Sequence, residues 1–122
     1  MRVLVCGGRA FSRETKEWSF IYKELDEVRN LYGLTHLIQG GATGADACAR
    51  AWAIYNELPF TQYPARWKIH GKGAGYIRNK QMLDEGRPDL VVAFPGGKGP
   101  AMMVDIAVKA GVKVLQPIYE EG

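Results

Sequence analysis

The chain has 122 residues, 47% of them apolar and 24% charged, enough for one domain that buries a core without staples. A net charge of +3 is too mild to point to nucleic acid by itself, and no segment approaches the length of a membrane span. Two cysteines make no disulfide framework and the short apolar start does not read as a signal peptide, so a reduced, cytoplasmic setting is expected.

In chain order, Arg2 to Cys6 is an apolar strand, ended by Gly7, Gly8 and Arg9. Ser12 reads as the N-cap of a long helix, with Glu14 and Glu17 near its positive end. Trp18, Ile21, Leu25, Val28 and Tyr32 recur at spacings of three and four, so one face packs on a sheet, and Gly33 stops the helix. His36 to Gln39 is a short buried strand, Gly40 to Gly44 a turn of small residues, and Ala45 onward a helix ending near Leu58. Phe60 to Tyr63 is a third strand closed by Pro64, and Ala65 to Gly75 an irregular loop. Tyr76 to Glu85 reads as a helix with Ile77, Met82 and Leu83 as its apolar side and Gly86 as its stop. Leu90 to Phe94 has the apolar run of a buried parallel strand and leads into Pro95-Gly96-Gly97-Lys98-Gly99. Pro100 opens a helix to Ala110 that is apolar nearly all round, Asp105 and Lys109 excepted, and Val112 to Gln116 is the last strand.

Strands and helices alternate throughout, with no linker or repeat. The expectation is a single α/β domain over residues 1–122, a three-layer αβα sandwich around a five-stranded parallel sheet. Three glycine loops follow strands, so all three fall on the carboxyl edge, where ligands of such sheets bind. A strand that turns through glycines into a helix start presents free N–H groups and the positive end of the helix dipole, which suits a phosphate. The Gly40–Gly44 loop followed by the helix from Ala45 is the clearest example. The ligand expected is therefore phosphate-bearing and of nucleotide type, with no cofactor implied beyond it. No G-x-G-x-x-G follows the first strand, and no lysine-serine pair of a Walker loop is present. Metal-ligand spacing is absent too; His36 and His70 are isolated, and His36 reads as structural. Cys6 lies near the ligand edge, yet no base partner is evident, and packing is the expected role of both thiols.

Taken together, Gly40-Gly41-Ala42-Thr43-Gly44-Ala45-Asp46, then Gly75-x-x-Arg78-Asn79-x-x-Met82, then Phe94-Pro95-Gly96-Gly97-Lys98-Gly99 resemble the SLOG superfamily. That group joins the DNA-processing (Smf/DprA) proteins to the "lonely guy" phosphoribohydrolases. Val5-Cys6-Gly7-Gly8-Arg9 and Tyr63-Pro64-Ala65-Arg66-Trp67 make the chain most similar to its small YspA/YpsA-related branch. The resemblance covers almost the whole chain. It implies a Rossmann-like domain that binds nucleotides or derivatives such as ADP-ribose or NAD derivatives, often as a sensor in conflict or stress systems. In the phosphoribohydrolases the loop reads P-G-G-x-G-T-x-x-E, and the glutamate takes part in cleaving the base–ribose bond. Here those last two positions hold Pro100 and Met103, and Asp105 lies about 200° further round the helix. Arg78 matches the family arginine that serves phosphate and catalysis. The phosphate cradle is thus kept and the catalytic acid is missing.

The ligand-binding residues expected are Gly7, Gly8, Arg9, Gly41, Thr43, Gly44, Asp46, Arg78, Asn79, Pro95, Gly96, Gly97, Lys98 and Gly99. Asp46 either holds a ribose hydroxyl or simply complements the helix dipole. Were the protein a nucleoside monophosphate hydrolase, the candidate groups would be Arg78, Asp46 and Asp105. Single-stranded DNA is a third reading: no acid falls between Glu57 and Asp84, while Arg66, Lys68, His70, Lys72, Arg78 and Lys80 do, interleaved with Tyr63, Trp67 and Tyr76. Trp67 and Tyr76 are either ligand-stacking or core aromatics. The apolar helix from Pro100 to Ala110 is expected to bury more than one side, forming a homo-oligomer interface.

Overall fold

The apolar run Val3-Leu4-Val5-Cys6 becomes the middle of the sheet, buried from both sides. The computed structural model describes residues 1–11 and 16–119; the expected cap at Ser12 and the acid at Glu14 lie outside them. Strands β1 (Arg2–Cys6), β2 (His36–Gln39), β3 (Phe60–Gln62), β4 (Leu90–Ala93) and β5 (Lys113–Leu115) pair in the order β3-β2-β1-β4-β5, all parallel. The order reverses at β1, between β2 on one side and β4 on the other. Loops after these strands share one edge, and the switch point of this Rossmann-like sheet falls among the loops after β1, β2 and β4.

Alternation of side chains divides the core into two layers. Val3, Val5, Leu37, Leu90 and Val92 face one side. There they meet Ile21, Leu25 and Val28 of α1 (Lys16–Tyr32) and Cys48, Ala49 and Trp52 of α2 (Ala45–Tyr55). Leu4, Cys6, Ile38, Val91 and Ala93 face the other. They meet Met82 and Leu83 of α4 (Ala74–Gly86) and Met103 and Ala107 of α5 (Lys98–Lys109). Trp18 and Tyr32 close the first layer at its margin, half-buried.

Three local expectations are corrected. The stretch expected to be irregular holds a one-turn helix, α3 (Trp67–His70), and a 3-10 turn over Gly71–Gly73. In α4, Ile77 is 43% exposed, whereas Arg78 and Asn79 face inward, because both side chains find polar partners beneath the helix. The stop of α4 is also one residue later. Gly86 is still helical, packed on Ile38, and Arg87 takes the left-handed conformation at φ 47. The helix α5 buries Met103 and Ala107 on its own sheet and leaves Ala101 and Val108 exposed in the single chain.

Trp52 anchors the α1–α2 side. It is fully buried, its Nε1 donates to Asp26 Oδ1 at 2.9 Å, and the Arg29 guanidinium lies 5.5 Å from its ring centroid. Trp52→Ala is expected to cost about 3–5 kcal/mol, the usual result of emptying a large core aromatic, and Trp52→Phe markedly less. Urea unfolding of the three proteins measures both.

Candidate functional site

Loops after β1, β2 and β4 meet around a cleft of about 430 Å³. Their approach is close enough to exclude side chains. A Cβ on Gly7 would fall 2.6 Å from the Cβ of Ala45 and 2.8 Å from that of Phe94. One on Gly8 would fall 2.8 Å from the Pro95 carbonyl oxygen, to which the Gly8 N–H donates at 2.9 Å. On the other flank the Ala45 N–H donates to the Gly8 oxygen at 3.0 Å, and Gly44, at φ 74, has the Arg9 backbone where a Cβ would go. The first loop is thus clamped between the other two.

The β2–α2 loop closes on itself rather than standing open. Asp46, in the first turn of α2, bends back so that its Oδ2 accepts from the amides of Gly40 (3.2 Å) and Ala42 (3.1 Å). The Gly41 amide donates to Gln39 Oε1, and Gln39 Nε2 donates to Gln62 Oε1 at 2.7 Å. The Thr43 hydroxyl donates to the Arg9 oxygen at 3.2 Å. The Gly40, Gly41 and Ala42 amides, which the sequence pattern offers to a phosphate, are held here by the protein's own acceptors. Gln39 and Gln62 were not anticipated. The available signal was a glutamine ending an otherwise apolar strand, since a polar group there needs a partner.

Arg78 enters from the first turns of α4. Its Nη1 donates to the Gly40 oxygen at 2.7 Å and its Nε to Asn79 Oδ1 at 3.0 Å, while Asn79 Nδ2 reaches the Gly99 oxygen at 3.3 Å. These bonds hold the guanidinium through Nη1 and Nε, and Arg78 lines the cleft. Burial lowers the Arg78 pKa, and the nearby Asp46 carboxylate opposes that shift. Asp46 itself is pushed up to about 6 by burial, against the Ala42 amide, the Arg78 charge, the Gly40 amide and the Arg9 charge.

The fourth wall differs from the rest. Gly97 has φ 85, and α5 begins after it with no side-chain cap. Among the described residues nothing lies within 4 Å of where a Cβ on Gly97 or Gly99 would be, so these leave the main chain approachable. Lys98 is exposed beside it. Ten of the expected residues line the cleft: Gly7, Gly8, Arg9, Asp46, Arg78, Asn79, Gly96, Gly97, Lys98 and Gly99. Gly41 and Thr43 line an adjoining groove instead, Pro95 a depression toward Tyr119, and Gly44 is buried under Arg9. Cys6, placed near the ligand edge by the sequence, also lines the cleft, and Ala10, Ala42, Met82 and Pro100 complete it.

The remaining candidates fall elsewhere. Asp105 lies on the solvent side of α5, paired with Lys109 at 3.1 Å, and Met103 is packed in the core. Burial among apolar neighbours and the Asp46 charge raise the Cys6 thiol far above its ordinary range, and Cys48 is pushed up to about 12, so neither is a ready nucleophile. His36 accepts or donates to Thr61 Oγ1 at 2.7 Å, and burial, with Arg2 nearby, lowers its pKa. Trp67 and Tyr76 are half-exposed rather than core, and Arg66, Lys68, His70 and Lys72 are exposed on the α3 segment. Among the described residues no group of three His, Cys, Asp or Glu is placed to hold a metal ion, and no helix is long and apolar enough to cross a membrane.

The sequence pattern of YAcAr, the YspA, cpYpsA-related SLOG family, matches residues 1–70, which include the first two glycine loops. The Gene 61 protein of Mycobacterium phage D29 is 38% identical over an alignment covering 93% of this chain and 94% of the phage protein.

Asp46 gives the cleft a pH signature. Its pKa is 3.8 ordinarily and about 6 when folded, so the folded state binds the extra proton. A raised carboxyl pKa means stability that is present below 3.8 and lost as the pH rises through 6. Asp46→Asn keeps an oxygen for both loop amides and removes the titration. The variant is therefore expected to gain on wild type by up to roughly 3 kcal/mol at pH 7 and to lose that advantage at pH 4. Urea unfolding at the two pH values measures it; an unchanged difference would show that the carboxylate is not strained by burial.

Proposed function

The chain belongs to the YspA, cpYpsA-related SLOG family, and from that membership we propose that it binds a nucleotide or nucleotide-derived ligand at the carboxyl edge of its sheet. The ligand class is ADP-ribose, an NAD derivative or a nucleoside monophosphate, and the role is that of a sensor or ligand-binding domain. One observation carries the reading. The uncapped start of α5 opens onto the same cleft as a buried arginine. Free amides at a helix start and a guanidinium with unused donors form a phosphate receptor. Phosphate placed against Gly97–Gly99 would take both, with Lys98 adding charge. Both loop amides bind Asp46 through Oδ2, which leaves Oδ1 as an acceptor for a ribose hydroxyl at the cleft wall.

Cleavage of a base–ribose bond is the second reading, favoured by the carboxyl of Asp46. A cleft-lining acid near pKa 6 can hold a proton close to neutral pH. Asp105, turned away on its own salt bridge, offers no such route.

Calorimetric titration with ADP-ribose and with AMP, each mixture checked by chromatography for free adenine, separates these readings. Saturable binding with intact ligand is expected, weakened about tenfold or more in Lys98→Glu, the loss of a charge-assisted bond. Free adenine would transfer the chain to the hydrolases, and no heat at millimolar ligand would overturn the ligand class.

Self-association through α5 belongs to the same proposal, since Ala101 and Val108 stay exposed beside apolar neighbours. Light scattering at micromolar concentration is expected to give a multiple of the 13.5 kDa chain. A monomer would remove this part.

A further inference from the structure

A second groove, of about 350 Å³, adjoins the phosphate cleft, and Arg9, Ala42 and Arg78 line both. Its outer wall is Pro64, Ala65 and Trp67. Trp67 is 48% exposed, although the chain buries Trp52 completely. It is nonetheless held in place. The Arg9 guanidinium lies 5.5 Å from the ring centroid, and Gly75 backs the far edge, where a Cβ would stand 3.5 Å from Cη2. The guanidinium covers one face of this positioned, half-exposed indole, and the ring's remaining exposed surface is a platform for a flat aromatic ring.

Charge points the same way. Arg9, Arg78 and Lys98 line the cleft against the one carboxylate of Asp46. Arg9 stands at the junction of cleft and groove, so cation is supplied between the two compartments as well as at the α5 end. A ligand with phosphate only at one end would leave that junction unused.

We propose that cleft and groove are one bipartite site, in which the base of a nucleoside diphosphate derivative stacks on Trp67 while its bridging phosphates run past Arg9 toward α5. The assignment rests on the nucleotide reading above and narrows it, from nucleotides in general to diphosphate-linked ones with an aromatic base. Trp67 selects the base, and the α5 wall holds the phosphates.

The probes are ADP-ribose and ribose 5-phosphate, titrated calorimetrically into wild type, Trp67→Ala and Trp67→Phe, with thermal melts confirming that each variant is folded. Wild type is expected to bind ADP-ribose at least tenfold tighter than ribose 5-phosphate. Trp67→Ala is expected to weaken ADP-ribose roughly tenfold to hundredfold, the range found for removing one base stack, and to leave ribose 5-phosphate unchanged. Trp67→Phe should restore most of the loss. If Trp67→Ala weakens neither probe, or both alike, the groove is not a base subsite and the proposal falls while the phosphate cleft stands. Equal wild-type affinity for the two probes has the same meaning. If wild type binds neither probe, the nucleotide reading itself fails, and this proposal with it.

Discussion

The carboxyl edge of this protein depends on Gly40 having no side chain. Its carbonyl oxygen accepts from Arg78 and its N–H donates to Asp46, so one residue's backbone meets two buried groups of opposite charge. A Cβ there would fall 2.1 Å from Arg78 Nη1 and 3.0 Å from Asp46 Oδ2. Buried charges are tolerated when dipoles and partners surround them, and a broken set costs several kcal/mol. Arg78 belongs to α4 and Asp46 to α2, helices on opposite faces of the sheet. The end of β2 is therefore the point where both helix layers are tied to the carboxyl edge, with the guanidinium held there by the Gly40 carbonyl.

The glycines of the edge divide into two kinds. Gly7, Gly8, Gly40 and Gly44 are occupied by neighbouring protein atoms within 3 Å of where a Cβ would be. They let three loops touch, and they make the floor rigid. Gly97 and Gly99 have no described residue within 4 Å of where a Cβ would be. Only at this second kind does the absence of a side chain leave room for something from outside. In the loops after β1 and β2 the Gly8, Gly40, Gly41 and Ala42 amides are held by the protein's own acceptors, whereas the loop after β4 leads into a helix with no side-chain cap.

That division was invisible in the sequence, where every glycine reads alike. The sheet, its parallel sense and most of its helices were legible, because Leu90 to Ala93 or the Ile21, Leu25, Val28 spacing state burial directly. The same rule failed at α4. It placed Ile77 inward and left Arg78 and Asn79 out, since hydropathy cannot register that Gly40 and Gly99 would supply acceptors below the helix. The residues of the cleft were found mainly because chain order brings strand-end loops to one edge. Which of their amides were free depended on Asp46 and Gln39 folding back, a tertiary matter with a faint local trace.

Electrostatics then limits what the cleft can receive. A carboxylate beneath an anion site opposes any ligand that presents only negative oxygen, and burial sharpens the opposition. Asp46 lines the cleft with one oxygen engaged by loop amides, and Arg78 and Arg9 offset its charge without touching that free oxygen. An anion without a hydroxyl, such as sulfate, would gain the α5 amides but meet the carboxylate with no proton to donate. A sugar phosphate brings hydroxyl donors beside its charge, and the same carboxylate becomes an acceptor rather than a repulsion. On the proposed reading, the acid in the first turn of α2 thus favours a ligand that brings hydroxyl donors beside its charge, and the Ala42 amide together with the arginine across Gly40 lets that acid remain buried.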